Sequence, residues 1–489
     1  MDPRILLLNP PYRKGRGFNR EGRCTQEASF WSTPWPPYSL ASIAAVLRRD
    51  GSGVEILDCP ALGIDAAKLS ETVAKGEFGL VIASVSTETI QEDLRALAAL
   101  KTKSPRTRIA VFGIHATMFG EDILRAEPGI DFVVTGEPEE TAGELAAALI
   151  AEGPIDQVRG IVFRDAKTGA PLRTPPRPFI QDLDALPFPA WGLVDLGRYK
   201  LPVIGRKFII VNTVRGCPFG CTFCNAQAYY GSIARARSVP SLIAEIKLHT
   251  VSTLAHGSYP RPSAAEVDPR AKPGASAAAG IRDIFFWGDT FTLVKNQVRD
   301  LCRAIIDEKL SVRWVANSRV DTVDAETLGL MKKAGCWMLS YGIESGDEDI
   351  LRSCGKNISL ERIGQAVRDT RATGILSAGH FIFGLPGETI SSARRTARFA
   401  RRLGLDFANF YAAVPNPGSP LYEQALASGW IKDADWARFN QGEFLMRLPT
   451  IDCARLAAIR RRAKWAFDLQ PRRLRSVLAL VRMKIFSRP

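Results

Sequence analysis

The sequence has no stretch of about 18 uninterrupted apolar residues, the length that a membrane-spanning helix requires. The apolar run of RILLLNPP, which starts at Arg4, is far too short for the hydrophobic region of a signal peptide. We therefore expect a cytoplasmic protein, whose thiols stay reduced. The cysteine count of nine is also odd, so a complete set of disulfides is not expected.

Histidine is scarce, and a glycine-rich dinucleotide motif is missing. The four histidines, at positions 115, 249, 256 and 380, form no compact set of metal ligands. No G-x-G-x-x-G follows any apolar run in the amino-terminal part, which disfavours a dinucleotide cofactor. No repeat of fixed period is found beyond an alternation of strand and helix patterns.

Positive charge is concentrated at one end of the chain. The 489 residues carry a net charge of +14, and 46% of them are hydrophobic, as in globular proteins. Residues 455–489 contain eleven basic residues and one acid, Asp468, so they account for ten of the fourteen net charges. The rest is nearly balanced, and we expect no nucleic-acid partner.

The amino-terminal part, residues 1–151, alternates short apolar runs with helical patterns. Five such units predict a doubly wound parallel sheet, whose ligand binds at the carboxyl ends of the strands. The predicted strands cover residues 5–8, 54–57, 80–83, 109–112 and 132–134. Gly and small hydroxyl residues follow several of these strands, where they would let a large flat ligand approach the backbone.

A second series follows a proline-rich segment, residues 152–200, which we interpret as a linker. Residues 201–430 contain six further strand and helix units, which predict a parallel barrel, complete or partial, with its active site at the carboxyl ends of the strands. Residues 252–280 are rich in Pro, Ala, Ser and Gly, and we expect a flexible insertion there. The predicted strands cover residues 208–213, 281–287, 312–317, 337–343, 378–383 and 407–413.

Three cysteines lie close together after the first strand of this second series. RGCPFGCTFC places Cys217, Cys221 and Cys224 at the spacing C-x3-C-x2-C. Reduced thiols disfavour disulfides, and a zinc ribbon would need a second C-x2-C pair, which is missing. Three thiolates on a tight loop suit an iron–sulfur cluster with one iron left open, while zinc and chance remain alternatives.

This cysteine spacing, with an aromatic residue before the last cysteine, resembles the signature of radical SAM enzymes. The segments FFWGDTF, NSRVDTVDAETL, YGIESG and GHFIFGLPGET follow in the order typical of that family. The resemblance implies a [4Fe-4S] cluster on the three cysteines and bound S-adenosylmethionine. The sequence departs from the subfamily at Gly288, where an acid is common. The implied S-adenosylmethionine contacts are Phe223, Asp289, Arg319, Glu344, Gly384 and Pro386.

The amino-terminal part resembles the cobalamin-binding domain of one branch of that superfamily, through LLNPP, GIHAT and VTGEPEETAGEL. The usual D-x-H-x-x-G motif is absent, because DCPALG has Pro60 where histidine belongs. The resemblance therefore implies cobalt without a protein nitrogen, and His115 in contact with the corrin or its side chains; a solvent-facing loop histidine is the alternative. The implied contacts are Asn9, Pro10, Ser86, Thr87, Gly113, His115, Thr117, Gly136 and Glu137.

The resemblance implies an α/β fold in which a Rossmann-like cobalamin domain precedes a partial (β/α)6 radical SAM barrel. It also implies methylation of an unactivated carbon through a 5′-deoxyadenosyl radical, with electrons from a flavodoxin or ferredoxin. We expect a small, hydrophobic metabolite as the substrate, on the evidence of the carboxyl-terminal tail described next. Ring closure or rearrangement without methyl transfer is an alternative, as is methylation of RNA or protein. A non-catalytic cobalamin or redox module would not need the open iron.

The carboxyl-terminal region, residues 431–489, is predicted to be helical with a basic tail. Pro471 can begin a helix, and Leu474, Leu478, Val481 and Ile485 then share one face. Such a basic amphipathic helix is typical of peripheral contact with the inner face of an anionic membrane, for a lipid or tetrapyrrole substrate. The alternative is a helix packed on the barrel with a solvated basic side.

Overall fold

A computed structural model describes residues 4–12, 18–21, 26–27, 34–202, 204–250, 280–432 and 435–486. The predicted insertion lies outside the described residues, except for Gly280. The described chain divides into two compact units, the first ending at Tyr199 and the second beginning at Lys200.

The first unit is a doubly wound α/β domain. Five of its strands are parallel, in the order β4-β1-β5-β6-β7, and aliphatic side chains fill the core between this sheet and its helices. Its strands are β1 (Arg4–Asn9), β2 (Phe18–Asn19), β3 (Gln26–Glu27), β4 (Val54–Asp58), β5 (Phe78–Ser84), β6 (Arg108–Phe112), β7 (Phe132–Val134), β8 (Ile161–Arg164) and β9 (Pro171–Arg173). Its helices are α1 (Tyr38–Arg49), α2 (Cys59–Leu62), α3 (Ala66–Gly76), α4 (Ile90–Lys103), α5 (Ile114–Met118), α6 (Gly120–Ala126) and α7 (Pro138–Ile150).

The segment that we interpreted as a linker is partly a continuation of this sheet. Strands β8 and β9 pair antiparallel after β7, so the sheet has seven strands. Ile161 and Val162 are fully buried in it. These strands of four and three residues are too short to show a hydrophobic period, which explains why the proline-rich composition dominated the sequence interpretation.

The second unit has the six parallel strands that the sequence predicts, in the order β10-β12-β13-β14-β15-β16, with short β11 antiparallel at one edge. The predicted α/β fold class is thus confirmed. Its strands are β10 (Phe208–Arg215), β11 (Arg235–Ala236), β12 (Asp283–Gly288), β13 (Arg313–Ser318), β14 (Cys336–Glu344), β15 (Leu376–Phe383) and β16 (Phe407–Ala412). Its helices are α8 (Ala226–Tyr230), α9 (Val239–Thr250), α10 (Lys295–Asp307), α11 (Ala325–Lys333), α12 (Glu348–Ser353), α13 (Leu360–Ala372), α14 (Ile390–Arg402), α15 (Pro420–Ala427), α16 (Cys453–Asp468) and α17 (Pro471–Phe486).

The two faces of this second sheet have different environments. Large side chains on one face pack against the helices, as when the Tyr341 hydroxyl meets Thr370 of α13 at 2.8 Å. The opposite face carries half-buried polar side chains, including Ser340 and His380, which belong to paired strands. The pairing is irregular between Gly342 and Glu344, but the Glu344 carboxylate lies on this polar face, since a Cβ atom at Gly342 would approach it to 2.5 Å. This face leads to the strand ends described below.

The last two helices pack on the second unit in an unexpected orientation. Helix α17 begins at Pro471, as predicted, but its Ser476 hydroxyl donates to Asp406 at 2.7 Å and its Arg473 side chain is buried. Leu474 and Leu478 are exposed instead. The helix is thus packed on the second unit, as in the alternative, but through Arg473 and Ser476 rather than through Leu474 and Leu478. None of the helices in the described part of the chain combines the length and apolarity needed to cross a membrane.

Candidate active site

The cysteine loop connects β10 to α8 in the second unit and is fixed by its backbone. The Gly216 amide donates to Asp289 Oδ2 at 2.7 Å, and the Cys217 amide donates to the Gly231 carbonyl at 3.1 Å. The Gln227 side chain donates to the carbonyl of Cys217 at 3.0 Å. The loop conformation is therefore set by groups other than the cysteine sulfurs.

The three cysteine side chains of this loop have polar neighbours. Cys217 is buried, and Cys221 and Cys224 are half-buried. Arg319 Nη1 lies 3.6 Å from Cys221 Sγ, and the Ala226 amide lies 3.5 Å from Cys224 Sγ. Burial raises the pKa of the Cys221 thiol, while the charges of Lys356 and Arg319 oppose that shift. N–H donors and cations around sulfur stabilise thiolates, which are the form that binds metal.

The three thiols of this loop fit a [4Fe-4S] cluster. No three His, Cys, Asp or Glu side chains in the described part of the chain converge to hold one metal ion. In a [4Fe-4S] cluster each thiolate binds a different iron, so the sulfurs need not converge on one point.

A fourth cysteine, Cys354, lies beside this loop. The sequence did not indicate that the two are close. The Thr222 amide donates to the carbonyl of Cys354 at 2.9 Å, but the Cys354 thiol points to the carbonyl of Leu351 at 3.4 Å. Burial raises the pKa of this thiol to about 12. Cys354 therefore stays protonated at neutral pH and is a poor candidate for a fourth ligand.

Arg319 and Glu344, two of the implied S-adenosylmethionine contacts, both lie near Cys221. Arg319 follows β13, donates to the Asp321 carboxylate at 2.8 Å and stacks 3.6 Å over the ring of Phe219. Glu344 ends β14 and accepts from Lys356 Nζ at 2.8 Å. Lys356 is buried and was not singled out from the sequence, because a lysine after a helix is unremarkable in a basic chain.

The other implied contacts occupy neighbouring strand ends and the cysteine loop. Phe223 is half-buried in that loop. Gly384 follows β15 with a positive φ of 87°, and its amide donates to the buried Glu388. The Pro386 carbonyl accepts from Ser353 at 3.3 Å. These contacts define a turn at the end of β15, and the ligand roles of its residues remain predictions.

The departure at Gly288 has a steric cause. A Cβ atom at this position would lie 2.5 Å from Val214 Cγ1 and 3.2 Å from Thr213 Oγ1. The close approach of β10 and β12 thus leaves no room for the acid that is common there. Asp289 is the carboxylate that this strand end supplies, and one of its oxygens holds the cysteine loop.

In the first unit, the implied cobalamin contacts gather at the carboxyl ends of adjacent strands. Thr117 Oγ1 accepts from the Gly136 amide at 3.1 Å and donates to the Gly113 carbonyl at 2.9 Å. His115 Nδ1 lies 3.3 Å from the Thr87 hydroxyl. These contacts join the segments that follow β5, β6 and β7.

His115 differs from the alternative of a solvent-facing loop residue. It lies in α5, is 3% exposed and packs on Phe119 with ring centroids 4.9 Å apart. Burial lowers the pKa of its imidazole to about 3, so the ring is neutral at physiological pH. The imidazole thus belongs to the packed edge of the sheet.

The remaining implied contacts have distinct environments. The buried Asn9 Oδ1 accepts no hydrogen bond from the residues that the structure describes. Ser86 and Thr89 hydroxyls meet at 2.7 Å, and the Pro10 carbonyl accepts from Arg20 at 3.0 Å. Glu137 accepts from the Ile180 amide at 2.8 Å, which gives it a structural role. An unsatisfied amide oxygen at this edge of the sheet fits a ligand with amide side chains, such as cobalamin.

Buried charges at the same edge were missed by the sequence interpretation. Arg20 and Asp93 form an ion pair of 2.6 Å with both side chains almost fully buried. The Tyr199 hydroxyl donates to Asp58 at 2.5 Å, and burial raises the pKa of this carboxyl. Partners more than 70 residues apart leave no local pattern, so only the fold reveals them.

Comparisons with known proteins agree with the two units. The radical SAM superfamily matches residues 211–400, and the B12 binding domain matches residues 32–146. An uncharacterized methyltransferase of Pyrococcus horikoshii is 30% identical over 440 residues, which are 90% of this chain and 89% of the relative. The anaerobic magnesium-protoporphyrin IX monomethyl ester cyclase of Rubrivivax gelatinosus is 26% identical, over 86% of this chain and 70% of the relative.

A solved structure shares the fold. It is the radical S-adenosylmethionine methyltransferase TsrM from Kitasatospora setae with cobalamin and a [4Fe-4S] cluster bound. The TM-score is 0.66 at 19% identity, over 98% of this chain and 89% of that one. At this identity the likeness concerns the fold.

Proposed function

This chain belongs to the B12-binding radical SAM enzyme family, and from that premise we propose that it methylates an unactivated carbon of a small hydrophobic molecule. In this proposal residues 1–151 hold cobalamin and residues 201–430 hold the cluster and S-adenosylmethionine. A flavodoxin or ferredoxin supplies the electrons.

The observation that carries the proposal is the set of three thiols beside a fourth that stays protonated. Cys217, Cys221 and Cys224 lie on one loop, whereas the Cys354 thiol is bonded to a carbonyl. A fully ligated cluster would serve only electron transfer. Three ligands leave one iron to bind a second molecule, which favours an enzyme over a redox module.

The bound groups together supply one-electron chemistry that forms a carbon radical and a methyl donor. The chain's own residues orient them. Asp289 holds the cysteine loop through Gly216, and Arg319 donates to Cys221. The carboxylate of Glu344 presents acceptors for hydroxyl groups at the end of β14. The turn at Gly384 brings backbone groups to the next strand end.

Methyl transfer is favoured over ring closure by the relatives. The Pyrococcus horikoshii relative, which is matched over 89% of its length, is a methyltransferase by name, and the Rubrivivax gelatinosus cyclase is matched over 70% of its length. Both cyclase and methyltransferase would use the same thiols and strand ends. The residues of the site therefore support the family chemistry, and the choice of methyl transfer rests on the relatives.

The first prediction tests this function. Anaerobically reconstituted protein with cobalamin, reductant and methyl-deuterated S-adenosylmethionine is incubated with polycyclic lipids and tetrapyrroles. We expect 5′-deoxyadenosine and a product that carries the labelled methyl group, measured by mass spectrometry. A product without the label would favour cyclisation or rearrangement. If neither the polycyclic lipids nor the tetrapyrroles led to 5′-deoxyadenosine formation, the proposal of a hydrophobic substrate would be contradicted.

We also propose peripheral contact with an anionic membrane through the last two helices. Five large apolar side chains are exposed there, and in α17 they lie opposite the buried Arg473 and Ser476. Exposed basic residues, including Arg461, Lys464 and Arg475, surround them. Apolar side chains flanked by basic ones suit the interface of an anionic bilayer. The five are Trp465, Leu469, Leu474, Leu478 and Val481.

The second prediction tests this contact. We expect the double substitution Leu474→Glu and Leu478→Glu to reduce sedimentation with anionic liposomes by about tenfold, because it removes apolar insertion and adds negative charge. Point substitutions are preferable to ending the chain at Gln470, since that deletion would uncover Asp406.

A matched control is Leu172→Glu, which changes an exposed leucine of β9. It should leave sedimentation unchanged. Binding that is equal for all variants, or independent of anionic lipid and salt, would contradict the membrane contact. A change in oligomeric state of the double variant would instead assign this surface to a second copy of the chain.

A further inference from the structure

The loop after α12 is built to touch the cysteine loop. Gly355 has a positive φ of 71°, and a Cβ atom there would lie 2.3 Å from the Gly220 carbonyl oxygen. The neighbouring Cys354 carbonyl accepts from the Thr222 amide at 2.9 Å. No side chain fits between the two loops at Gly355. This close contact places the next residue, Lys356, beside the cysteine loop.

Lys356 forms a buried ion pair there. Its ammonium donates to Glu344 Oε1 at 2.8 Å, and the exposed fractions of the two side chains are 5% and 8%. The pair lies over Gly342, where a Cβ atom would approach Glu344 Oε1 to 2.5 Å and Lys356 Nζ to 3.0 Å. Breaking such a pair leaves an uncompensated buried charge.

The backbone of Glu344 is unusual for its residue type. Its φ of 65° lies in the left-handed region, which non-glycine residues rarely adopt because it is strained. Such strain persists where surrounding contacts fix it. The Lys356 ammonium, fixed in turn by the Gly355 contact, is the charged partner of this carboxylate. Loss of the lysine would leave a negative charge beside Cys221.

We propose that Lys356 is a positioning residue that neutralises Glu344 and thereby raises the reduction potential of the cluster on Cys221. The inference rests on the proposed function only for the presence of the cluster. Reduction takes one electron from an external donor such as dithionite and adds a negative charge to the site. A neighbouring cation favours the reduced state, and an unpaired carboxylate disfavours it.

The test is a redox titration of the reconstituted protein without S-adenosylmethionine or substrate, followed by electron paramagnetic resonance of the reduced cluster. We expect Lys356→Met to shift the midpoint to a more negative potential, so that the ratio of reduced to oxidised cluster at fixed potential falls on the order of tenfold. The midpoint potential of Lys356→Arg should stay near that of the parent protein, because the positive charge is kept. Lys332→Met, at an exposed lysine of α11, is the matched control and should shift nothing.

The double variant Glu344→Gln with Lys356→Met separates charge from structure. If Lys356 acts by neutralising Glu344, the double variant should return towards the parent midpoint. An unchanged midpoint in Lys356→Met with full iron content would overturn the proposal. A midpoint potential in the double variant as low as that of Lys356→Met would also overturn the proposal, since the lysine would then act through the structure of the loop. The midpoint is independent of methyl transfer, so the two proposals fail separately.

Discussion

Replacing Cys217, Cys221 and Cys224 together by alanine is expected to abolish iron retention and S-adenosylmethionine cleavage while the protein stays folded. Each thiolate binds one iron, and a methyl group cannot replace it. The loop is held by backbone and amide contacts, such as Gly216 with Asp289 at 2.7 Å, that do not involve sulfur. Iron and sulfide analysis after anaerobic reconstitution, with circular dichroism for the fold, measures the effect.

Cys354→Ala is the matched control for that triple substitution. This thiol lies beside the same loop but donates to the Leu351 carbonyl and stays protonated. We expect full iron content and a loss of about 1–2 kcal/mol in stability from the small buried cavity. Full iron in the triple variant would contradict the cluster assignment. Iron loss in folded Cys354→Ala would instead make Cys354 a ligand.

The sequence predicted the fold class because buried parallel strands have a strong local signal. Continuous apolar runs such as residues 80–83 and 109–112 correspond to β5 and β6, and the six parallel strands of the second unit were also predicted. Strands β8 and β9 were missed, since three or four residues between turns show no period. Pairing with β7 is a long-range contact that composition cannot reveal.

The site was predictable to the extent that its residues lie in local motifs. The cysteine triplet and the strand-end segments are contiguous in sequence, whereas Lys356 reaches Glu344 across 12 residues and a helix. The Arg20–Asp93 pair spans 73 residues. Their proximity is a consequence of the fold, and no spacing rule applies to it. The ligand roles of the named residues stay predictions.

The orientation of α17 shows a different limit. A helical wheel identifies an apolar face, but it does not say which face the protein covers. Here two residues of α17 donate hydrogen bonds to Asp406. The Ser476 hydroxyl donates to the Asp406 carboxylate at 2.7 Å, and the Arg473 side chain donates to the Asp406 backbone carbonyl at 3.1 Å. Hydrogen bonding to this aspartate turns the polar side of the helix inward. Leu474 and Leu478, on the apolar face, are therefore exposed.

Gly216→Ala is expected to lower stability by about 3 kcal/mol and to reduce iron retention on the order of tenfold. Gly216 follows β10 with a positive φ of 87°, and an added Cβ atom would lie 2.1 Å from the Ile233 carbonyl oxygen and 3.2 Å from that of Tyr230. These are backbone atoms and cannot rotate away. The substitution must therefore move the start of the cysteine loop. Thermal unfolding and iron analysis measure the two effects.

Gly220→Ala, four residues further in the same loop, is the control. A Cβ atom there would meet nothing within 4 Å, so the change in stability should stay within about 0.5 kcal/mol and iron content should be full. Equal behaviour of the two variants would mean that the loop tolerates displacement at its start, and that the close approach to Ile233 does not position the thiols. A stable Gly216→Ala protein that has lost its iron would show instead that the approach serves the cluster site alone.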